Sequence, residues 1–488
     1  MDLPIILPPD GPRGVRLVVA LREAILSGQL PPGARLPASR VLAAQLALSR
    51  GAVVGAYEEL VSEGYCQARV GAGTLVAPLD LAREGRALYH AAAPVSPAGP
   101  RLSQWAQRLS VPSRRAASAP PVRYDFRHGV AADQYPAATL AAALRRAALT
   151  LQSAPPLGDP AGSPRLRRAL AAHLGRSRGL RADPERMIIV SGSQQGLDLA
   201  VRLLLDPGDR VCVEDPGYAR AHAVFRAAGA TLTPVPVDHG GMTTASLPVE
   251  GARAAYVTPS HQYPTGAVLA PDRRLALLAW AERHQAWILE DDYDSEFRYG
   301  GPPLPCLQGL DRADRCLYLG SVSKPFTRRC ALGTSSSRGR WPIAVAAKEA
   351  LDQATHRSFR RRSRISTKPA KSSATCGGGP RLPRPAGGAA GRLRLPATVR
   401  VWPVTGGLHA YIEAPDVAPA ALLATAARHG LALADAHDGC LTSAHGARLI
   451  VWFSRVALED IDAGVAALGA ALREAAGVME VTGALSRG

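Results

Sequence analysis

From about residue 122 the chain repeats one pattern, short Val/Ile/Leu-rich runs at 187–190, 210–214, 254–258, 287–290 and 316–319 separated by helical stretches. Runs this continuous fit strands buried on both faces, and strands alternating with helices run parallel. This part of the chain predicts an α/β fold around a mostly parallel sheet. At 488 residues the chain also exceeds what one hydrophobic core fills, so a further domain is expected.

That further domain lies at the N-terminus. Val15, Val18, Val19, Leu21, Ile25 and Leu26 follow helical spacing and stop at Ser27-Gly28. A short helix from Ser39 to Leu46, a tight turn at Ala47-Leu48 and a third helix capped by Ser49 and running to Gly64 make a helix-turn-helix. Two short strand-like runs around Gly71-Ala72-Gly73 add a hairpin, which completes a winged helix over residues 1–77. Residues 78–121, rich in Ala, Pro, Ser and Arg without sustained periodicity, read as a linker, and 122–488 as the α/β domain. In a winged helix the third helix meets base edges, which falls to Ser49 and Arg50. Ser39 and Arg40 are placed to reach phosphates, and Arg69 on the wing to approach the adjacent groove. A module used only for protein contacts is the rival reading.

Three elements of the α/β domain carry chemistry. Ile188-Ile189-Val190 leads through Ser191-Gly192-Ser193-Gln194-Gln195-Gly196 into an apolar helical pattern. A helix N-terminus after a small-residue loop offers free N–H groups and a positive dipole end, which suits a phosphate; an unliganded tight turn is equally compatible. Trp287-Ile288-Leu289 runs into Glu290, Asp291, Asp292 and Asp294, acids at the carboxyl end of a buried strand, where an open α/β sheet binds its ligands. Asp291 is the candidate partner for a cationic ring nitrogen, with solvated strand-end acids as the alternative. Finally, the chain holds only four lysines against 54 arginines, and one of them, Lys324, closes the loop Gly320-Ser321-Val322-Ser323-Lys324 after a strand. Only an amine forms a Schiff base, so this lysine reads as catalytic. Phosphate cup, acid and lysine in this order are the parts that pyridoxal phosphate requires.

Charge and cysteine usage narrow the reading. The net charge of +18 is concentrated between Pro325 and Arg400, where 14 arginines and three lysines face only Glu349 and Asp352. No apolar run approaches the roughly 20 residues of a membrane span, and no signal-like N-terminus is visible, so a soluble, cytoplasmic protein without a membrane partner is expected. Seven cysteines without CxxC or Cys/His spacing indicate neither a metal site nor a disulfide framework.

The stretch from QLPPGARLPASR to VGAGTLVA resembles the GntR-type DNA-binding domain. The stretches DFRHGVAADQYP, GDPAGSPRLRRAL, VSGSQQGLDLA, VEDPGYARA, VTPSHQYPTGAVL, ILEDDYDSEFRY, GSVSK and VTGGLHAYI resemble fold type I aminotransferases. Together they make the chain similar to the MocR/GabR family of transcriptional regulators. The resemblance implies pyridoxal phosphate as cofactor, Lys324 as the amine that holds it, Asp291 at its ring nitrogen and Tyr293 at its ring hydroxyl. It further implies Ser193, Gln194 and Ser321 at the phosphate, Tyr218 stacked on the ring, His261 beside it and Arg448 at an effector carboxylate. Promoter DNA, an amine or pyridoxal phosphate itself as effector, and a homodimer are the implied partners. A working aminotransferase with an accessory DNA-binding domain is the second reading, and a damaged regulator that binds DNA but not the cofactor the third; residual transaminase activity stays open.

The chain departs from the family after Lys324. Where the family places a phosphate-binding arginine seven residues on, this chain has Ala331, and residues 325–342 and 356–391 show neither helical nor strand periodicity. Codons for a GC-rich Leu-Arg-Leu-Gly-Tyr-Leu-Val-Val-Pro strand, read one base out of step, give nearly the CALGTSSSR of 330–338. Two compensated shifts of reading frame, or a genuine basic insertion, account for both pieces.

Overall fold

The computed structural model describes residues 5, 7–69, 73–78, 101–109, 122–127, 138, 141–142, 145, 158–181, 183–294, 297–298, 304–321, 342–352, 395–442 and 446–477. Lys324, most of the 78–121 stretch, and the irregular pieces except Pro342 lie outside them. The chain divides into two compact units, Met1–Leu102 and Ser103–Gly488.

In the first unit, α1 (Arg13–Leu26), α2 (Ser39–Gln45) and α3 (Arg50–Ser62) are followed by the hairpin strands β1 (Cys66–Arg69) and β2 (Gly73–Val76). Each boundary has a local cause. Gly28 takes φ +78° just past the end of α1, and the Ser49 hydroxyl accepts from the Ala52 amide at 3.2 Å to cap α3. The apolar faces converge on Leu17, Leu21, Leu42, Val53 and Leu60, all buried.

Past a single helical turn at Gln104–Gln107, the second unit continues with β3 (Tyr124–Asp125), α4 (Pro164–Arg178) and α5 (Ser193–Leu204). β4 (Arg210–Asp215), α6 (Ala219–Ala228), β5 (Thr231–Asp238), β6 (Gly241–Met242) and β7 (Ala252–Val257) follow. Then come α7 (Pro271–Arg283), β8 (Trp287–Asp292), β9 (Cys316–Gly320) and α8 (Pro342–Asp352). The C-terminal part holds β10 (Arg400–Val401), β11 (His409–Ala414), α9 (Pro419–Arg428), β12 (Leu431–Ala432), β13 (Ala434–Asp435), β14 (Ala447–Trp452) and α10 (Ile461–Ala475). Six strands form one sheet in the order β6-β5-β4-β7-β8-β9, parallel except for β6. β10-β11-β14-β13 form an antiparallel sheet, and β12 pairs with β3.

Alternation along the central strands explains why their sequence reads as continuously apolar. Val211, Val213, Tyr256, Leu289 and Leu317 point into the core under α5 and α6. Their neighbours Cys212, Ala255, Val257, Ile288 and Cys316 point into the opposite core with Leu277 and Trp280 of α7. Residues 187–190 are buried, and among the described residues no strand pairs with them. The four-stranded C-terminal sheet goes beyond the single strand-like run around Arg448. Among the described residues no helix is long and apolar enough to cross a membrane.

Candidate functional site

The five residues proposed for DNA lie on the surface of the first unit at three places. Ser39 opens α2, with Arg40 exposed beside it; Ser49 and Arg50 stand exposed at the N-terminus of α3; Arg69 ends β1, paired with Gly73 at the exposed end of the hairpin. A bidentate Arg22–Glu63 ion pair and a 2.8 Å bond from the Tyr57 hydroxyl to the Pro37 carbonyl brace the helices behind them. Ser49 therefore caps α3 whatever else it touches.

In the second unit the parallel strands β4, β7, β8 and β9 deliver Glu214, Thr258, Asp291, Asp292 and Ser321 to one edge of the sheet. Asp291 is buried, and the Tyr256 hydroxyl donates to its Oδ2 at 2.7 Å. Next to it in sequence, Asp292 points to the other face. There it meets the Arg178 guanidinium at 2.8 Å and the Tyr318 hydroxyl at 2.5 Å, while Arg178 also bonds Ser260 Oγ at 2.5 Å. Glu214 accepts from Thr258 Oγ1 at 2.6 Å and from Gln262 Nε2 at 3.3 Å. Burial, followed by the neighbouring Asp291 charge after those bonds are counted, pushes its carboxyl up to about 7.

Around these acids stands an aromatic wall. Tyr218, just before α6, meets Tyr263 edge-on at 5.3 Å, and Tyr263 meets Tyr293 at 5.8 Å. His261 lies 5.9 Å from Tyr293 and 5.2 Å from His409. Burial raises the Tyr218 phenol and holds that of Tyr293 well above the ordinary range, so both are protonated donors. His261 fits only because Gly407, at φ +72°, has no side chain: a Cβ there would fall 2.1 Å from His261 Nε2. Ser193 opens α5 after Gly192, whose φ of +130° favours glycine, and the neighbouring Gln194 is exposed with Nε2 3.3 Å from the Arg220 carbonyl. Ser321 is buried just after β9. Arg448 lies on β14 opposite Glu413, on the strand face it shares with Ile450 and Trp452, and its Nη1 bonds Cys440 Sγ at 3.3 Å.

Sequence reasoning missed Tyr256, Glu214, Thr258, Gln262 and the Arg178–Asp292 pair. None carries a motif signal, because each acquires its partner only when distant strands are brought together. His261, Asp294 and His409 also converge, with their candidate ligand atoms within 4.8 Å of one another. That limit is wide for zinc, whose bonds of about 2.1 Å put ligands roughly 3.4 Å apart. His409 Nε2 instead lies 3.0 Å from the Pro264 carbonyl.

Two family models match the chain, "Bacterial regulatory proteins, gntR family" over residues 14–76 and "Aminotransferase class I and II" over 125–349. The HTH-type pyridoxine biosynthesis transcriptional regulator PdxR of Corynebacterium glutamicum is 39% identical over 336 residues, 68% of each chain. The chain belongs to the MocR-type regulator family. The "probable rhizopine catabolism regulatory protein MocR" of Rhizobium meliloti is 38% identical over 66% of this chain and 65% of its own length, so the match spans about two thirds of these relatives. Among solved structures, the α-aminoadipate aminotransferase LysN of Thermus thermophilus superposes with a TM-score of 0.67 at 24% identity, over 78% of this chain and 98% of its own, which shows a shared fold.

MocR-type proteins join a GntR-type DNA-binding domain to an aminotransferase-type domain whose cofactor is pyridoxal phosphate. The residues here fit that group. A buried carboxylate stands at the carboxyl end of a central strand, half-buried phenols line the space beside it, and a helix N-terminus follows a left-handed glycine.

Proposed function

We propose that this protein is a transcriptional regulator in which residues 1–77 bind promoter DNA and residues 122–488, beyond a linker at 78–121, bind pyridoxal phosphate and answer to an amine or to pyridoxal phosphate itself. The observation that carries the reading is Asp291, a buried carboxylate held by a neutral hydroxyl at the carboxyl edge of the sheet, in a chain that also carries a GntR-type helix-turn-helix. In this reading Asp291 takes the ring nitrogen, Tyr293 the ring hydroxyl and Tyr218 the ring face, with His261 beside them. Ser193, Gln194 and Ser321 hold the phosphate. Lys324 supplies the amine, and Arg448 receives the effector carboxylate.

Bound pyridoxal phosphate would supply an aldehyde that condenses with amines and a ring that withdraws electrons. The chain's own groups do the rest. Asp291 keeps a negative charge at one defined point, the phenols donate without ionising, and the apolar wall of Tyr263 and Trp452 excludes water. An effector changes DNA binding only if it binds two arrangements of the protein with different affinity. A homodimer reading two half-sites in the cytoplasm completes the proposal.

Absorbance of the purified full chain with added pyridoxal phosphate tests the cofactor reading, together with promoter binding before and after deletion of residues 1–77. A saturable band that Lys324→Ala abolishes, and DNA binding lost with the deletion, are expected. DNA binding without any cofactor band makes the protein a damaged regulator. Turnover of amino donor and keto acid without DNA binding makes it an aminotransferase.

A further inference from the structure

We propose that Tyr256 is a positioning residue for the cofactor site: its buried hydroxyl fixes the Asp291 carboxylate in the orientation and ionised state that a ring nitrogen requires. The inference rests on the reading of Asp291 as that nitrogen's partner.

The geometry comes from the sheet. Strand β7 lies between β4 and β8, with Tyr256 opposite Val213 on one side and Leu289 on the other. Asp291 lies two residues beyond Leu289 and so projects from the same face. The Tyr256 ring is 1% exposed and meets Phe225 edge-on at 5.8 Å, so packing fixes where its hydroxyl lies. That hydroxyl is 2.7 Å from Asp291 Oδ2. Just past the end of the strand the Thr258 hydroxyl donates to Glu214 at 2.6 Å, so this strand and its end set two hydroxyls against two buried carboxylates.

The chemistry explains why a phenol suits this place. On β8 the neighbouring Asp292 is neutralised by Arg178 at 2.8 Å. A guanidinium at Asp291 would compete with a cationic ring nitrogen for the same carboxylate. A phenol stabilises the charged form of the acid without bringing a charge of its own. Burial, the leading cause, and the nearby Asp291 charge hold the Tyr256 phenol well above its ordinary pKa, so it stays a donor.

The test is titration of the full chain with pyridoxal phosphate, followed by absorbance and fluorescence across pH. Tyr256→Phe keeps the ring and its contact with Phe225. It is expected to weaken cofactor binding about tenfold and to shift the pH midpoint of the bound cofactor's spectrum by about one unit. In an Asp291→Asn background the same change is expected to add almost nothing, because the pair acts as a unit. The double variant, which replaces the buried carboxylate with an amide, also gives a reading where Tyr256→Phe alone does not fold. Unchanged affinity and pH profile in Tyr256→Phe, or equal weakening in both backgrounds, overturns the inference while the function reading stands. A wild-type chain that binds no pyridoxal phosphate overturns both.

Discussion

The two units of this protein treat charge in opposite ways. Among its described residues the winged-helix unit fully buries no charged side chain, and its core is aliphatic apart from Tyr57 and Cys66. The aminotransferase-type unit buries Arg178, Glu214, Glu290, Asp291, Asp292 and Lys348, among others. The difference follows from what each binds. A DNA reader meets its ligand across a surface, and Arg40, Arg50 and Arg69, the arginines proposed for that contact, are exposed. A cofactor pocket has to hold charges at defined points away from water, and each must then be hydrogen-bonded or paired.

The contrast is broken most severely at Arg178. Replacing it with Met leaves Asp292 buried with, among the described residues, the Tyr318 hydroxyl as its remaining side-chain donor, so the second unit is expected to lose about 3–5 kcal/mol of stability. Calorimetry of the full chain checks this: the transition of the second unit falls, whereas that of the winged helix stays. A variant as stable as wild type would mean that the pair is not desolvated as the geometry implies.

A smaller effect is expected from pH. Burial pushes both Glu214 and Glu290 from an ordinary value of 4.5 up to about 7. Between these values the unfolded chain has lost protons that the folded one keeps, so stability falls as pH rises, by roughly 3 kcal/mol at most for each group. His222, which burial lowers to about 4, works in the opposite direction below its ordinary 6.5, so the informative quantity is a difference. Glu214→Gln should match wild type near pH 4.5 and exceed it at pH 8. Melting curves that run parallel across this range would show that Glu214 is ionised throughout.

The same contrast decides how much could be read from sequence. The winged helix was legible to within a residue or two because its signals are local: apolar residues at helical spacing, a Gly28 stop, a Ser49 cap. The central strands were legible because both of their faces are apolar. Asp291 was visible from its place at a strand's end. What holds it was not, since Tyr256 lies 35 residues away, and Arg178 finds Asp292 across 114 residues. No periodicity encodes such a pairing, which the register of β7 on β8 and the packing of α4 create.

Within the first unit the expected effects shrink to those of surface chemistry. Ser49→Ala removes the acceptor for the Ala52 amide and should cost about 1 kcal/mol, with α3 fraying at the end proposed to meet DNA. Hydrogen exchange of the first α3 amides checks this, and unaltered protection would mean that water caps the helix equally well.

The sharpest comparison uses two ion pairs of similar length. Arg22 grips Glu63 at 2.6 Å with both side chains about one-third exposed, and Arg178 grips Asp292 at 2.8 Å with both nearly sealed. Were distance the determinant, Arg22→Ala would destabilise its unit at least as much as Arg178→Met destabilises the other. Solvent screens the exposed pair, and on breaking it each partner regains water, so Arg22→Ala should cost only about 0–1 kcal/mol and less still in high salt. Denaturant titration at low and high salt measures it. A loss of several kcal/mol would place Arg22 and Glu63 with the desolvated pairs and remove the distinction between the two units.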